Sequence, residues 1–79
     1  MANTNDMRDF ELPNNPEAEK AVIGCILQDK KSLVTAIELL SHTDFYYDAN
    51  REIFKVVSEL FNENTPVDIV TVSDRLTRY

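Results

Sequence analysis

Seventy-nine residues, 43% hydrophobic and 28% charged, allow at most one small globular domain. The single cysteine excludes an internal disulfide and a cysteine-built zinc site, and no apolar run approaches the roughly 18 residues of a membrane span. Fourteen acidic against eight basic side chains give a net charge of −6, which argues against phosphate-driven nucleic-acid binding and favours a protein partner.

A core of this size supplies only about 3–5 kcal/mol without staples. Support from a partner, a further copy or additional chain is therefore expected. The lone Cys25 and the missing signal peptide suggest a reducing, cytosolic setting.

Residues 1–11, MANTNDMRDFE, are polar and aperiodic, and read as a flexible tail in which Phe10, with Leu12 just beyond, could dock on the core as an anchoring arm. The folded segment is expected over residues 12–79. Its first helix opens at LPNNPEAEKAVIGCILQD, where Asn15 can cap and Pro16 suits the first helical position. Glu17 and Glu19 fall in the first turn, where the helix dipole favours acids. Ala18, Ala21, Val22, Cys25 and Ile26 follow helical spacing, with Ile23 and Leu27 on the other side, so burial on more than one side is expected. Gly24 costs about 1 kcal/mol against Ala in a helix, which suggests close approach of another helix there.

Asp29 can cap a second helix, KKSLVTAIELL, with Leu33, Ala36, Ile37 and Leu40 on one face. The connection SHTDFYYD leads to Asp48, read as the cap of a third helix, ANREIFKVVSELFNEN. There Ile53, Phe54, Val56, Val57, Leu60 and Phe61 span an arc of roughly 160°. Asn64 suits a left-handed C-terminal position and Pro66 marks the stop. The last segment, PVDIVTVSDRLTRY, is rich in β-branched residues, but a lone strand has nothing to pair with. It reads as a fourth helix from about residue 69, with Thr71 and Asp74 as a capping box or Asp68 as the cap, and with Val72 and Leu76 inward. Arg78-Tyr79 carries no stop signal, so the domain is expected to be incomplete. The fold class is all-α, a small bundle of about four helices. The predicted core comprises Ala21, Val22, Ile26, Phe45, Ile53, Phe54, Val57, Leu60 and Leu76.

One glycine excludes both common phosphate-cradling loops. Cys25 lies on the apolar face of the first helix, where a thiol is an inert core residue, and His42 sits in a polar loop. The acid pairs Glu17/Glu19 and Asp6/Asp9 read as solvated charge. No catalytic, cofactor or metal residue is assigned. In DFYYDANREIF, Phe45 is expected to insert between the second and third helices, one of Tyr46 and Tyr47 to pack, and the other to stay wet. Asp44 can accept backbone N–H groups or pair with Arg51. The alternative is base stacking on Tyr46 and Tyr47 with help from Arg75 and Arg78, which lacks the cationic surroundings of such sites.

The runs LPNNPEAEKAVIGCIL, DFYYDANREIF and ELFNENTPVDIVTVSDRL together resemble the N-terminal domain of DnaB-type replicative DNA helicases. The resemblance rests on Leu12, Pro13, Ala18, Glu19, Gly24, Leu27, Asp44, Phe45, Tyr46, Arg51, Ile53, Phe54, Leu60, Pro66, Asp68 and Thr71, in order and spacing. Asn50 and Asn64 depart from it, standing where the family usually has His and Gly, and suggest a divergent branch, with a phage origin as one reading of it. The resemblance implies a non-catalytic collar domain of a hexameric, ATP-dependent 5′–3′ helicase. ATP and Mg would bind in a separate C-terminal domain, and the partners would be other helicase subunits, primase and the helicase loader. Asp74, Arg75 and Arg78 are the candidate partner-binding residues. A free-standing regulator that mimics this domain, or a single-stranded nucleic-acid-binding module, are the alternatives.

Overall fold

The computed structural model describes residues 15–78. The expected tail, including Phe10, and the adjoining Leu12 lie outside them. Four helices follow in order: α1 (Pro16–Gln28), α2 (Lys30–Leu39), α3 (Asp48–Asn62) and α4 (Ile69–Thr77), with a single 3-10 turn at His42–Asp44 between α2 and α3. The described residues contain no strand.

Local chemistry sets the helix ends. The Asn15 side chain accepts the Glu17 and Ala18 N–H groups at 2.8 and 3.2 Å, satisfying donors the helix cannot, and Pro16 takes the first position. Asp29 serves two helices at once. Its N–H closes α1 on the Cys25 carbonyl, while its carboxylate accepts the Lys31 N–H and the Ser32 hydroxyl to open α2. A one-residue joint of this kind makes α1 and α2 a tight hairpin. At the end of α3, Asn64 adopts φ 62°, and the Thr65 and Asn64 N–H groups return to the Leu60 and Phe61 carbonyls in a Schellman motif.

One cap differs from expectation, and another is decided between its two candidates. Asp48 is the first residue of α3, after Tyr47, whose side chain makes no capping bond; Asp48 acts there as a first-turn acid 3.8 Å from Arg51. The capping box of α4 is Asp68 with Thr71, not Thr71 with Asp74. The Asp68 carboxylate accepts the Val70 and Thr71 N–H groups, and the Thr71 hydroxyl oxygen accepts the Asp68 N–H.

α3 is the central element. It packs against α1, α4 and the 3-10 turn, while α1 also packs on α2. The buried apolar residues are Ile23, Ile26, Leu33, Ala36, Phe45, Phe54, Val56, Val57, Leu60 and Val72; Val22, Ile53 and Leu76 pack half-buried at their edge. Phe45 is sealed from solvent with its ring 5.1 Å from that of Phe54.

Three expectations for α1 are corrected. Ala21 and Cys25 are exposed, and the inward stripe runs through Glu19, Ile23 and Ile26. At 100° per residue Ala21 lies about opposite Glu19. Once Glu19 turns inward, Ala21 must face out. Gly24 admits no close neighbour either: a Cβ placed there would meet nothing within 4 Å.

Candidate interaction surfaces

The opening turns of α1 and α3 meet at one buried carboxylate. Glu19 is fully shielded from solvent, and its oxygens accept the Tyr46 N–H at 2.7 Å, the Asn50 side-chain N–H at 2.8 Å and, more weakly, the Tyr47 N–H at 3.4 Å. Burial pushes the carboxyl toward protonation. The hydrogen bonds from Asn50, Tyr46 and Tyr47, with the Arg51 charge, outweigh it and hold the group below the ordinary value. Arg51 does not pair with Asp44. Its Nε donates to the Phe45 carbonyl, while Asp44 accepts the Ser41 N–H at 2.8 Å. The loop DFYY is thus pinned from three sides, which fixes its aromatics. Phe45 points into the core. Tyr46 is 59% exposed and Tyr47 is half-buried, their rings meeting edge to face at 4.9 Å.

This hub is a bracket rather than a reaction centre. Each acceptor bond of Glu19 goes to a structural N–H, and no buried side-chain N or O atom among the described residues lacks a partner. Cys25 and His42 are both exposed. No group of three or more His, Cys, Asp or Glu side chains among the described residues could hold a metal ion. Also among them, no helix is long and apolar enough to cross a membrane.

The candidate partner-binding residues lie on and just after α4. Arg75 grips Glu63 with both terminal nitrogens, at 3.1 and 2.8 Å, and lies 3.6 Å from Glu59, so it ties α4 to the end of α3. The same contact holds the Glu63 carboxyl below its ordinary range. Arg78 and Asp74 form an exposed ion pair at 3.0 Å. Beside them the first turn of α4 leaves Ile69 and Val70 67% and 72% exposed, an apolar step that the sequence reading did not assign to a surface. A second open apolar feature is a groove between α1 and α2, about 440 Å³, bordered by Ala21, Val22, Cys25, Ala36, Leu39 and Leu40.

Residues 11–79 match the family described as DnaB-like helicase N terminal domain. The chain belongs to that family. It is similar to the replicative DNA helicase DnaB of Treponema pallidum, with 38% identity over 73 residues, covering 92% of this chain and 17% of that protein. It is 41% identical over 64 residues to replicative DNA helicase DnaB of Geobacillus stearothermophilus, covering 81% of this chain and 14% of that protein. Against replicative DNA helicase DnaC of Bacillus subtilis the identity is 37% over 73 residues, 92% of this chain and 16% of the relative. No solved structure matches. The chain therefore spans about a sixth of these curated relatives, and what it matches is the non-catalytic DnaB N-terminal domain.

Proposed function

We propose that this chain is the interaction and assembly domain of a hexameric, ATP-dependent 5′–3′ replicative helicase that works in the cytoplasm, with ATP and Mg held in a separate catalytic domain. The observation that carries the reading is the family match over residues 11–79. The domain supports a collar of helicase subunits and receives primase or the helicase loader. Its surface suits that work. A net charge of −6 disfavours the DNA backbone, and the exposed Ile69 and Val70 next to the Asp74–Arg78 pair form an apolar patch with a polar rim. Asp74 and Arg78 contact the partner in this reading, while Arg75 braces α4 against Glu63 so that the patch is presented on a rigid helix.

Titration calorimetry with the helicase-binding domain of a cognate primase tests this directly. Binding is expected, and Ile69→Ser/Val70→Ser should weaken it at least about tenfold, since interface energy concentrates in desolvated apolar anchors. Equal affinity of the variant, with helicity intact, would remove α4 from the contact. No heat with either a primase or a loader would overturn the assembly reading.

A further inference from the structure

The apolar groove between α1 and α2 is lined by no described residue of α3 or α4. On α2 it borders an exposed stripe of Lys31, Thr35, Glu38 and Leu39, in which Leu39 is 41% exposed. The stripe has an internal order. Counted from Thr35 at about 100° per residue, Lys31 and Glu38 lie roughly 40° and 60° to one side, while Leu39 and Ser32 lie roughly 40° and 60° to the other. In each of these pairs one member stands before Thr35 and the other after it. Lys31 and Glu38 are about 10 Å apart along the helix, too far to pair with each other. Neither has an ion partner among the described residues.

The geometry points to a second copy of this chain as the occupant, docked about a twofold axis that passes beside Thr35. Under such an axis α2 runs antiparallel to its counterpart, and each flank of the stripe faces the same flank of the other copy. Lys31 then comes opposite Glu38 of the second copy, and Glu38 opposite its Lys31, so charges unpaired within one chain make two ion pairs between two. On the other flank Leu39 comes opposite Ser32 of the second copy and enters the groove between its Cys25 and Ala36, where small side chains leave room. The second copy's Leu39 returns the contact. Charge selects this orientation, because a parallel arrangement sets Lys31 against Lys31 and Glu38 against Glu38. One hairpin face is small beside the roughly 800 Å² per partner of a standard interface. The contact is therefore weak by itself and gains where copies are tethered together. It names a subunit contact for the assembly domain proposed above, and rests on that reading for its setting.

Sedimentation equilibrium of the 79-residue chain tests it, with a monomer–dimer equilibrium expected between about 10 μM and about 1 mM. At about 0.15 M salt the net charge of −6 is screened beyond about 8 Å, while contacts at a few Å keep their sign. Lys31→Glu and Glu38→Lys should each weaken association several-fold to about tenfold, since either swap turns both ion pairs into like-charge contacts. Net charge alone would move the two variants in opposite senses, one being more acidic and the other less. Both swaps place charge where the α2 dipole favours it, so helicity is kept. The mixture of the two variants is the decisive arm. In the mixed dimer an acidic stripe meets a basic one at both points, so an equimolar mixture should regain wild-type association or exceed it. Leu39→Ser should weaken association at least about tenfold. A wild-type chain that stays monomeric throughout that range would overturn the proposal. So would association that ignores Leu39→Ser, or a mixture no stronger than its components. If Leu39→Ser loses helicity, the mixture decides alone. Failure here leaves the primase titration standing, because that measurement reads Ile69 and Val70 on α4.

Discussion

Asn50 donates its side-chain N–H to Glu19 at 2.8 Å inside the protein, joining the first turn of α1 to the first turn of α3 across 31 residues of sequence. Neither side chain has an exposed alternative, since both are buried. Removing the acceptor leaves the Asn50 amide and the Tyr46 and Tyr47 N–H groups facing a dry pocket, and an unmade buried bond costs about 1–3 kcal/mol. Glu19→Ala is accordingly expected to lose about 2–4 kcal/mol, most of the stability available to so small a core. Urea unfolding followed by circular dichroism measures it. A loss comparable to that of an exposed acid such as Glu17 would show that the bracket is not formed.

The same carboxylate gives the domain an acid sensitivity of defined sign. Glu19 has its folded pKa below the ordinary 4.5, so the unfolded chain takes up the proton first. The stabilisation is whole above about 4.5 and is lost as pH falls through the folded value. Glu63, lowered by Arg75, acts in the same direction from an exposed position. Urea midpoints taken from about pH 6 down to about pH 3 should therefore fall, and Glu19→Gln should flatten the curve without abolishing it. An unchanged slope in Glu19→Gln would assign the acid loss elsewhere.

Phe54 is buried against Phe45, whereas Tyr47 is half-buried on the loop. Phe54→Ala is expected to cost about 3–5 kcal/mol and to leave little native helix at ambient temperature. Tyr47→Ala should cost clearly less. Equal losses in thermal melts would contradict the difference in burial.

Gly24 is a site of unused stability. It lies inside α1 with negative φ and open space where a Cβ would go, so Ala meets no clash. Gly24→Ala should raise stability by about 0.5–1 kcal/mol through helix propensity alone. For a domain of this size that is a rise in Tm of a few degrees, roughly 2–8 °C. A lower Tm would contradict the open space around Gly24.

What could be read from the sequence follows the range of the interaction. Asn15, Asp29, Asn64 and Asp68 act on backbone groups within five residues, so each was legible from its neighbours. α3 was legible because its apolar residues occupy one arc and leave a polar remainder. α1 was not, because it is apolar nearly all round, and its rotation is settled by Glu19, whose partners lie 27–31 residues away. Glu19 read as a first-turn acid because that local role satisfies the sequence equally well. The family resemblance held Glu19, Phe45 and Arg51 as matching positions without saying that they meet. Arg75 is a similar case: its Glu63 clamp joins two helices, and only the turn through Asn64 and Asp68 brings the charges together. The exposure of Ile69 and Val70 was hidden by their β-branched, strand-like character.

The claim that the chain acts through protein contacts is tested most directly by a salt-titrated anisotropy measurement with labelled single-stranded DNA. Binding no tighter than about 10⁻⁴ M at physiological salt is expected, because the acidic surface releases few counterions. Micromolar affinity that falls steeply with added salt would contradict the account and return Tyr46, Arg75 and Arg78 to a nucleic-acid interface.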